Sequence, residues 1–187
     1  MTELVRATDL IGRPVVTIDG GDDVAEVKDV VYDAQARRLI GFTLNKRGWF
    51  RGRMKELLSA GSVAAIGDTA VMVQDEQALS APDSGPPDLT DAPSTRDVLG
   101  DRVITESGLD LGEVRGLVLM VGPQVDVVGY ELAERSGGRK FIPIDAQTAV
   151  SGDSLVVPAR IAEFMRQDLS DFGGAIEQYR MLHGGAR

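Results

Sequence analysis

Apolar and polar residues alternate along short stretches of this chain, which is the pattern of half-buried β-strands. The clearest stretch is Val24–Tyr32, and further β-rich runs cover Pro14–Ile18, Leu39–Leu44 and Ala70–Val73. Turns rich in glycine and aspartate, such as Asp19–Asp23, separate the runs. About six short strands in a unit of ~75 residues favour a small barrel, because closure removes exposed sheet edges. The residues that we expect to face the core include Leu10, Ile11, Val27, Val30, Ile40 and Phe42.

The strand pattern returns about 88 residues later, which indicates a tandem repeat. Matched blocks recur in the same order: Asp9–Gly12 with Asp97–Gly100, Val24–Lys28 with Leu111–Arg115, Leu39–Phe42 with Val127–Tyr130, and Gly67–Met72 with Gly152–Val157. We therefore expect a mainly β protein with one copy at residues 1–76 and a second at residues 95–158. Because a unit of this size has little core, we expect the copies to pack together or to dimerise.

Two segments of the chain do not follow the strand pattern. Residues 77–94 contain four of the eight prolines, which predicts a linker. After Pro158 the apolar residues repeat at helical spacing, so residues 159–187 are predicted to form an amphipathic helical tail. Gly173–Gly174 should break or bend this helix. Its predicted packing or oligomer face consists of Ile161, Phe164, Met165, Leu169 and Phe172.

Composition limits the function and the compartment. The net charge of −9 disfavours general attraction to nucleic acid. The chain has no cysteine, which removes thiol chemistry and disulfides and fits a reducing compartment. Neither a secretion signal nor a long apolar span is visible. We therefore expect a cytoplasmic protein without a transmembrane segment, and peripheral attachment to a membrane is the alternative.

Residues that could carry catalysis or hold a metal are sparse. His183 is the only histidine and stands near the chain end, so no nucleophile with a placed base is visible. The acidic group Asp19, Asp22, Asp23 and Glu26 could hold a hard cation, but such a group is also typical of a solvated hairpin turn. We therefore predict no catalytic residues, no metal site and no cofactor, and hence a protein that is not an enzyme.

One window of the chain combines cations with large aromatic residues. Its residues are Lys46, Arg47, Trp49, Phe50, Arg51, Arg53 and Lys55. Three interpretations stay open: the aromatics form a lid over the barrel end, the window is a partner-binding loop for another protein, or it binds nucleic acid or lipid. In the second copy the corresponding segment, residues 133–140, is shorter, mixed in charge and without tryptophan.

The order of the repeated blocks resembles the PRC-barrel family. The blocks that carry the resemblance are Asp9–Gly12, the strand around Val27–Val30, Ile40–Phe42 and Gly67–Met72, and the second copy follows the same order. The resemblance implies two small, strongly bent PRC-like barrels in tandem. It also implies a non-enzymatic protein-interaction or adaptor module with a protein partner, which can include a homodimer. An RNA-associated or ribosome-assembly role, by analogy with the family member RimM, is the alternative, although the net charge disfavours RNA.

Overall fold

The computed structural model describes residues 3–33, 37–47, 52–80, 97–134 and 137–183. The fold is mainly β with a C-terminal helix, as the alternation and the helical spacing predict. The chain divides into two compact units. The N-terminal unit consists of residues 7–97 and 123–125, and the C-terminal unit consists of residues 1–6, 98–122 and 126–187. No helix in the described part of the chain is long and apolar enough to cross a membrane.

The first strand of the chain, β1 (Glu3–Arg6), belongs to the C-terminal unit. The elements of the N-terminal unit follow it in order: α1 (Ala7–Leu10), β2 (Pro14–Thr17), β3 (Asp23–Asp33), β4 (Arg38–Asn45), β5 (Arg53–Ser59), β6 (Val63–Ile66), β7 (Val71–Val73) and β8 (Leu79–Ser80), with 3-10 turns at Ala60–Ser62 and Glu76–Ala78. The strands pair in the order β8-β5-β4-β3-β2-β7-β6. All of these pairs are antiparallel except β2 with β7, which is parallel.

The C-terminal unit pairs its strands in a similar order. Besides β1 it contains β9 (Arg102–Thr105), β10 (Asp110–Val121), β11 (Asp126–Ala133), β12 (Arg139–Pro143), β13 (Ala149–Ser151), β14 (Ser154–Val157), the 3-10 helix Ala159–Phe164 and α2 (Leu169–His183). The pairing order is β13-β14-β9-β10-β11-β12, and β14 is parallel to β9. The described pairings follow an open order in each unit, so closure into two barrels stays a prediction.

Strand β1 pairs with the second half of β10. The antiparallel register runs from Glu3 opposite Val121 to Arg6 opposite Val118. Because β11 pairs with one edge of β10 over the same stretch, β1 occupies the other edge. No local sequence signal indicates this long-range pairing.

The core of the N-terminal unit contains most of the apolar residues that the alternation predicts. Leu10, Val27, Val30 and Phe42 are fully buried, and Ile40 is half-buried. The prediction for Ile11 is wrong, since this side chain is 44% exposed. Ile11 stands in the turn after α1, directly before Gly12, whose φ of +85° redirects the chain into β2. The side chain therefore faces out, as does Leu99 before Gly100 in the C-terminal unit.

The helical tail does not break at the predicted place. Helix α2 runs through Gly173 and Gly174, and the interruption lies at residues 165–168, between the 3-10 helix and α2. There the backbone of Arg166 exchanges hydrogen bonds of 2.7 and 3.1 Å with Phe141 of β12. The buried face of α2, which consists of Phe172, Ala175, Ile176 and Tyr179, outweighs the helix-propensity penalty of about 1 kcal/mol for each glycine.

Candidate functional site

The β4–β5 hairpin carries the basic window, residues 46–55. Asn45 and Arg53 are paired across its stem, and the backbone N–H of Lys46 donates to the carbonyl of Gly52 at 2.8 Å. The side chains of Lys46 and Lys55 are exposed. Trp49, Phe50 and Arg51 lie outside the described residues. Both ends of the hairpin loop are therefore defined, and the aromatic residues fall between them in sequence.

Arg47 joins the basic window to the acidic hairpin. Its guanidinium makes an ion pair with Asp23 and a second one, at 3.5 Å, with Glu26. The hydrogen bond with Asp23 raises the pKa of Arg47 above its ordinary value. Both carboxylates stand near the start of β3, so two clusters that look separate in sequence meet in the fold. Asp23 and Glu26, two of the four acidic residues, therefore anchor the basic loop through Arg47.

The rest of the acidic hairpin is tied down by local hydrogen bonds. Asp19 accepts from the side-chain amide of Gln74, and the backbone N–H of Asp22 donates to the hydroxyl of Thr17 at 3.0 Å. Among the residues that the structure describes, no group of three or more histidine and acidic side chains is placed to hold a metal ion. These contacts give the hairpin a defined shape next to the loop.

In the C-terminal unit, the region that corresponds to the acidic hairpin and the basic loop forms a small cavity of about 90 Å³. It is lined by Arg102, Asp110, Gly112, Glu113, Ala133 and Glu134. Arg102 makes an ion pair of 2.8 Å with Asp110, the first residue of β10. This pair resembles the ion pair of Arg47 with Asp23 at the start of β3. Here the arginine comes from β9, whereas in the N-terminal unit it comes from the loop after β4.

A buried polar network holds the tail against the C-terminal unit. Asp145 is only 8% exposed and accepts from the hydroxyl of Tyr179 and, at 3.0 Å, from the guanidinium of Arg160. Arg160 also donates to the side chain of Gln147 at 2.7 Å. Sequence reasoning missed this network, because its members are far apart in the chain and no local motif joins them.

The predicted packing face of the tail divides into two groups. Ile161, Phe164 and Phe172 are buried, whereas Met165 and Leu169 are half-buried. Phe172 packs against Phe141 with ring centroids 5.7 Å apart, and the ring of Phe164 meets Tyr179 edge-on at 5.0 Å. A Cβ at Gly129 would lie 2.6 Å from the Phe172 ring, so a glycine is needed under this aromatic residue.

A second buried carboxylate lies in β11. The side chain of Glu131 is 8% exposed, and its Oε1 atom lies 3.7 Å from the guanidinium of Arg6 and 3.9 Å from that of Arg139. Its Oε2 atom has no hydrogen-bond partner within the described part of the chain. Arg139 also lies over the ring of Phe141 at 5.7 Å. The two arginines are therefore the charges that compensate a carboxylate removed from water.

Two further titratable groups in the C-terminal unit are buried. Burial, with a smaller contribution from the charge of Asp153, raises the pKa of Asp101. Burial and the nearby Asp101 raise the pKa of Tyr130 to about 12. At neutral pH the Tyr130 hydroxyl therefore stays protonated.

Comparison with known protein families matches residues 2–79 to the PRC-barrel domain. The match covers β1 and the elements from α1 to β7, and it includes the loop whose basic end is anchored by Arg47. No curated protein matches the chain. The chain therefore carries a PRC-barrel domain at residues 2–79.

Proposed function

We propose that this chain is a non-enzymatic protein-interaction module that binds an acidic surface of a partner protein through the loop between β4 and β5. The observation that carries the proposal is the anchoring of Arg47 by Asp23 and Glu26. With Arg47 held and Lys46 hydrogen-bonded to Gly52, the start and end of the loop are restrained before a partner arrives. Such restraint lowers the entropic penalty of binding.

The chemistry of the loop supports an acidic protein surface as the partner. Arginine and large aromatic residues are the usual anchors of protein interfaces, and Trp49, Phe50 and Arg51 stand together in the loop. The exposed Lys46 and Lys55 add positive charge on a chain of net charge −9. A local positive patch on an acidic body favours one complementary surface over general polyanion binding.

We infer that the two units are copies of one module, with the interaction loop retained in the first. Both use the same turn: the N–H of Gly12 donates to Val27 at 2.8 Å, and that of Gly100 donates to Val114 at 2.9 Å. In place of the basic loop, the second unit has a shorter connection, at whose ends the N–H of Glu134 donates to the carbonyl of Gly138 at 2.8 Å. The proposal includes a cytoplasmic location and homodimer formation.

The buried polar clusters support a structural role rather than a catalytic one. Asp145, Arg160 and Tyr179 satisfy one another and hold α2 in place. Glu131 is compensated by arginines from β1 and β12. Each cluster is explained by the packing of the elements that carry it.

Site-specific crosslinking tests the proposed loop. A photo-crosslinking amino acid in place of Trp49 should capture a distinct cellular protein, and one in place of the exposed Arg115 on β10 should not. The double variant Trp49→Ala, Arg51→Glu should lose affinity capture of that protein while its melting temperature stays unchanged. Arg115→Glu, which changes the charge by the same amount as Arg51→Glu, should retain capture.

Three results would overturn this proposal. If Trp49→Ala alone lowers the free energy of unfolding by about 3–5 kcal/mol, Trp49 is part of the core and not a contact residue. If the chain shifts bulk RNA at physiological salt and Arg51→Glu abolishes the shift, the loop is a nucleic-acid site. If the chain sediments with anionic vesicles and Arg51→Glu abolishes this, the loop is a membrane-binding site.

A further inference from the structure

We propose that the second half of β10 is a strand-acceptor edge that can take β1 from a second copy of this chain in place of the chain's own β1. The inference rests on the homodimer formation included in the proposed function and is independent of the proposed partner-binding loop, because donor and acceptor both lie in the C-terminal unit and neither includes the loop after β4. The partner is therefore another copy of the same protein, and the contact is an antiparallel strand pair.

The acceptor edge is defined by the register of β1. Its four residues pair with Val118, Leu119, Met120 and Val121, on the edge of β10 that β11 leaves open. Backbone pairing along an exposed edge accepts any extended segment, so side chains must select the occupant. Strand β1 supplies Leu4, which lies against Gly173 of α2, and Arg6, which faces Glu131.

Glu131 makes the acceptor selective for a strand with an arginine at this position. The carboxylate is largely buried, its Oε2 atom has no hydrogen-bond partner among the described residues, and Arg6 is one of two cations near Oε1. When β1 leaves, Arg139 remains as the nearby cation, and a poorly compensated buried carboxylate is unfavourable. An identical β1 restores both the register and the charge, which is why a second copy fits this edge.

Strand β1 is also lightly held. It has only four residues; Glu3 is exposed, and Leu4, Val5 and Arg6 are half-buried. Elements with few buried contacts open at free energies well below that of global unfolding. The residues that directly follow it, from Ala7 onward, belong to the N-terminal unit. The C-terminal unit thus receives β1 from a distant part of the sequence, and exchange of an identical strand between copies is a route to a dimer that costs little free energy.

The absence of cysteine from the chain allows a direct crosslinking test on full-length protein. Val5 and Leu119 are directly opposite in the register, and Leu119 is fully buried. A chain with Val5→Cys is mixed with a chain with Leu119→Cys at high concentration under mild oxidation. We expect a disulfide-linked heterodimer that accumulates with time and increases with protein concentration. As a positive control, one chain that carries both Val5→Cys and Leu119→Cys should form the disulfide within the chain.

Matched controls separate exchange from random collision. Val5→Cys mixed with Arg115→Cys places the second thiol at an exposed position on the same strand, and it should give several-fold less heterodimer. Adding Arg6→Glu to the Val5→Cys chain should lower the yield with Leu119→Cys about tenfold, because the donor strand then opposes Glu131. The half-buried pair Leu4→Cys and Met120→Cys repeats the test if Leu119→Cys disturbs folding. Yields at or below the Arg115 control for both pairs would overturn the proposal.

Discussion

Gly112 occupies a position in β10 that no other residue can take without movement of the backbone. Its φ is +120°, and a Cβ there would lie 2.3 Å from the carbonyl oxygen of Ala133. Gly112→Ala should therefore lower the free energy of unfolding by about 3 kcal/mol, through backbone strain and overpacking together. Gly100→Ala is the matched control, since φ is +89° with nothing within 4 Å, and it should cost only about 1 kcal/mol. Urea unfolding of both variants checks the difference, and equal losses would contradict it.

The hydroxyl of Tyr179 is expected to stabilise the fold through its hydrogen bond. It donates to the buried Asp145, so Tyr179→Phe should lower the free energy of unfolding by about 1–2 kcal/mol. Tyr130→Phe is a suitable comparison, because Tyr130 is equally buried and lies on β11 rather than on α2. Its stability should change less than that of Tyr179→Phe. Similar losses in both variants would argue against a specific role for the Tyr179 hydrogen bond.

Asp101 should make stability depend on pH. Its folded pKa is raised above the ordinary 3.8, so its stabilising contribution is fully present below the unfolded pKa and is lost as pH rises through the folded pKa. Asp101→Asn stays neutral at every pH. The variant should therefore gain stability relative to the wild type as pH rises from about 3 to about 7. Urea unfolding of both proteins at several pH values tests this, and a difference independent of pH would refute it.

At the scale of elements, Phe172 is the largest fully buried side chain of α2. Phe172 is fully buried against Phe141 and Gly129, so Phe172→Ala should lower the free energy of unfolding by about 3–5 kcal/mol. Leu182 lies on the same helix but is 63% exposed. Leu182→Ala should change stability by less than about 0.5 kcal/mol. Calorimetry on the two variants distinguishes a packed helix from a loosely attached one.

Elements whose signal is local could be predicted from the sequence, and elements defined by distant contacts could not. The alternation of Val24–Tyr32 predicts β3 to within a residue or two, because a half-buried strand must present every second side chain to the core. The parallel pairing of β2 with β7 and the destination of β1 have no local signature. Gly173–Gly174 misled the reading of α2, because packing of the neighbouring residues outweighs helix propensity.

The same limit applies to the candidate site. The interleaved cations and aromatics of residues 46–55 could be found in the sequence, but the ion pair between Arg47 and Asp23 could not. Their side chains meet because β3 and β4 are neighbours with Glu26 opposite Asn45. Charge spacing along the chain does not encode this register. In the sequence Glu131 is an ordinary strand residue, and only the fold shows that Arg6 lies beside it.

At the scale of the whole molecule, β1 joins the start of the first repeat to the long strand β10 of the second. If a protease site is inserted between Pro86 and Pro87 and then cleaved, the two fragments should co-elute in size-exclusion chromatography at high protein concentration and separate on dilution, since β1 is short and lightly held. They should co-elute because β1 remains with the first fragment while its partner strand β10 remains with the second. Deleting residues 1–6 should lower the co-eluting fraction. Separation of the fragments at high protein concentration with β1 intact would show that this strand pair does not hold them.

Strand β1 also has a consequence for the order of events during synthesis. It leaves the ribosome well before its partner stretch Val118–Val121, which is made more than a hundred residues later. At a synthesis rate of about 5–20 residues per second, β1 waits on the order of ten seconds without its partner. Contacts of such high sequence separation form late and slowly. Strand β1 is therefore among the last strands to pair, and its backbone stays unpaired on the nascent chain, where chaperones can bind it.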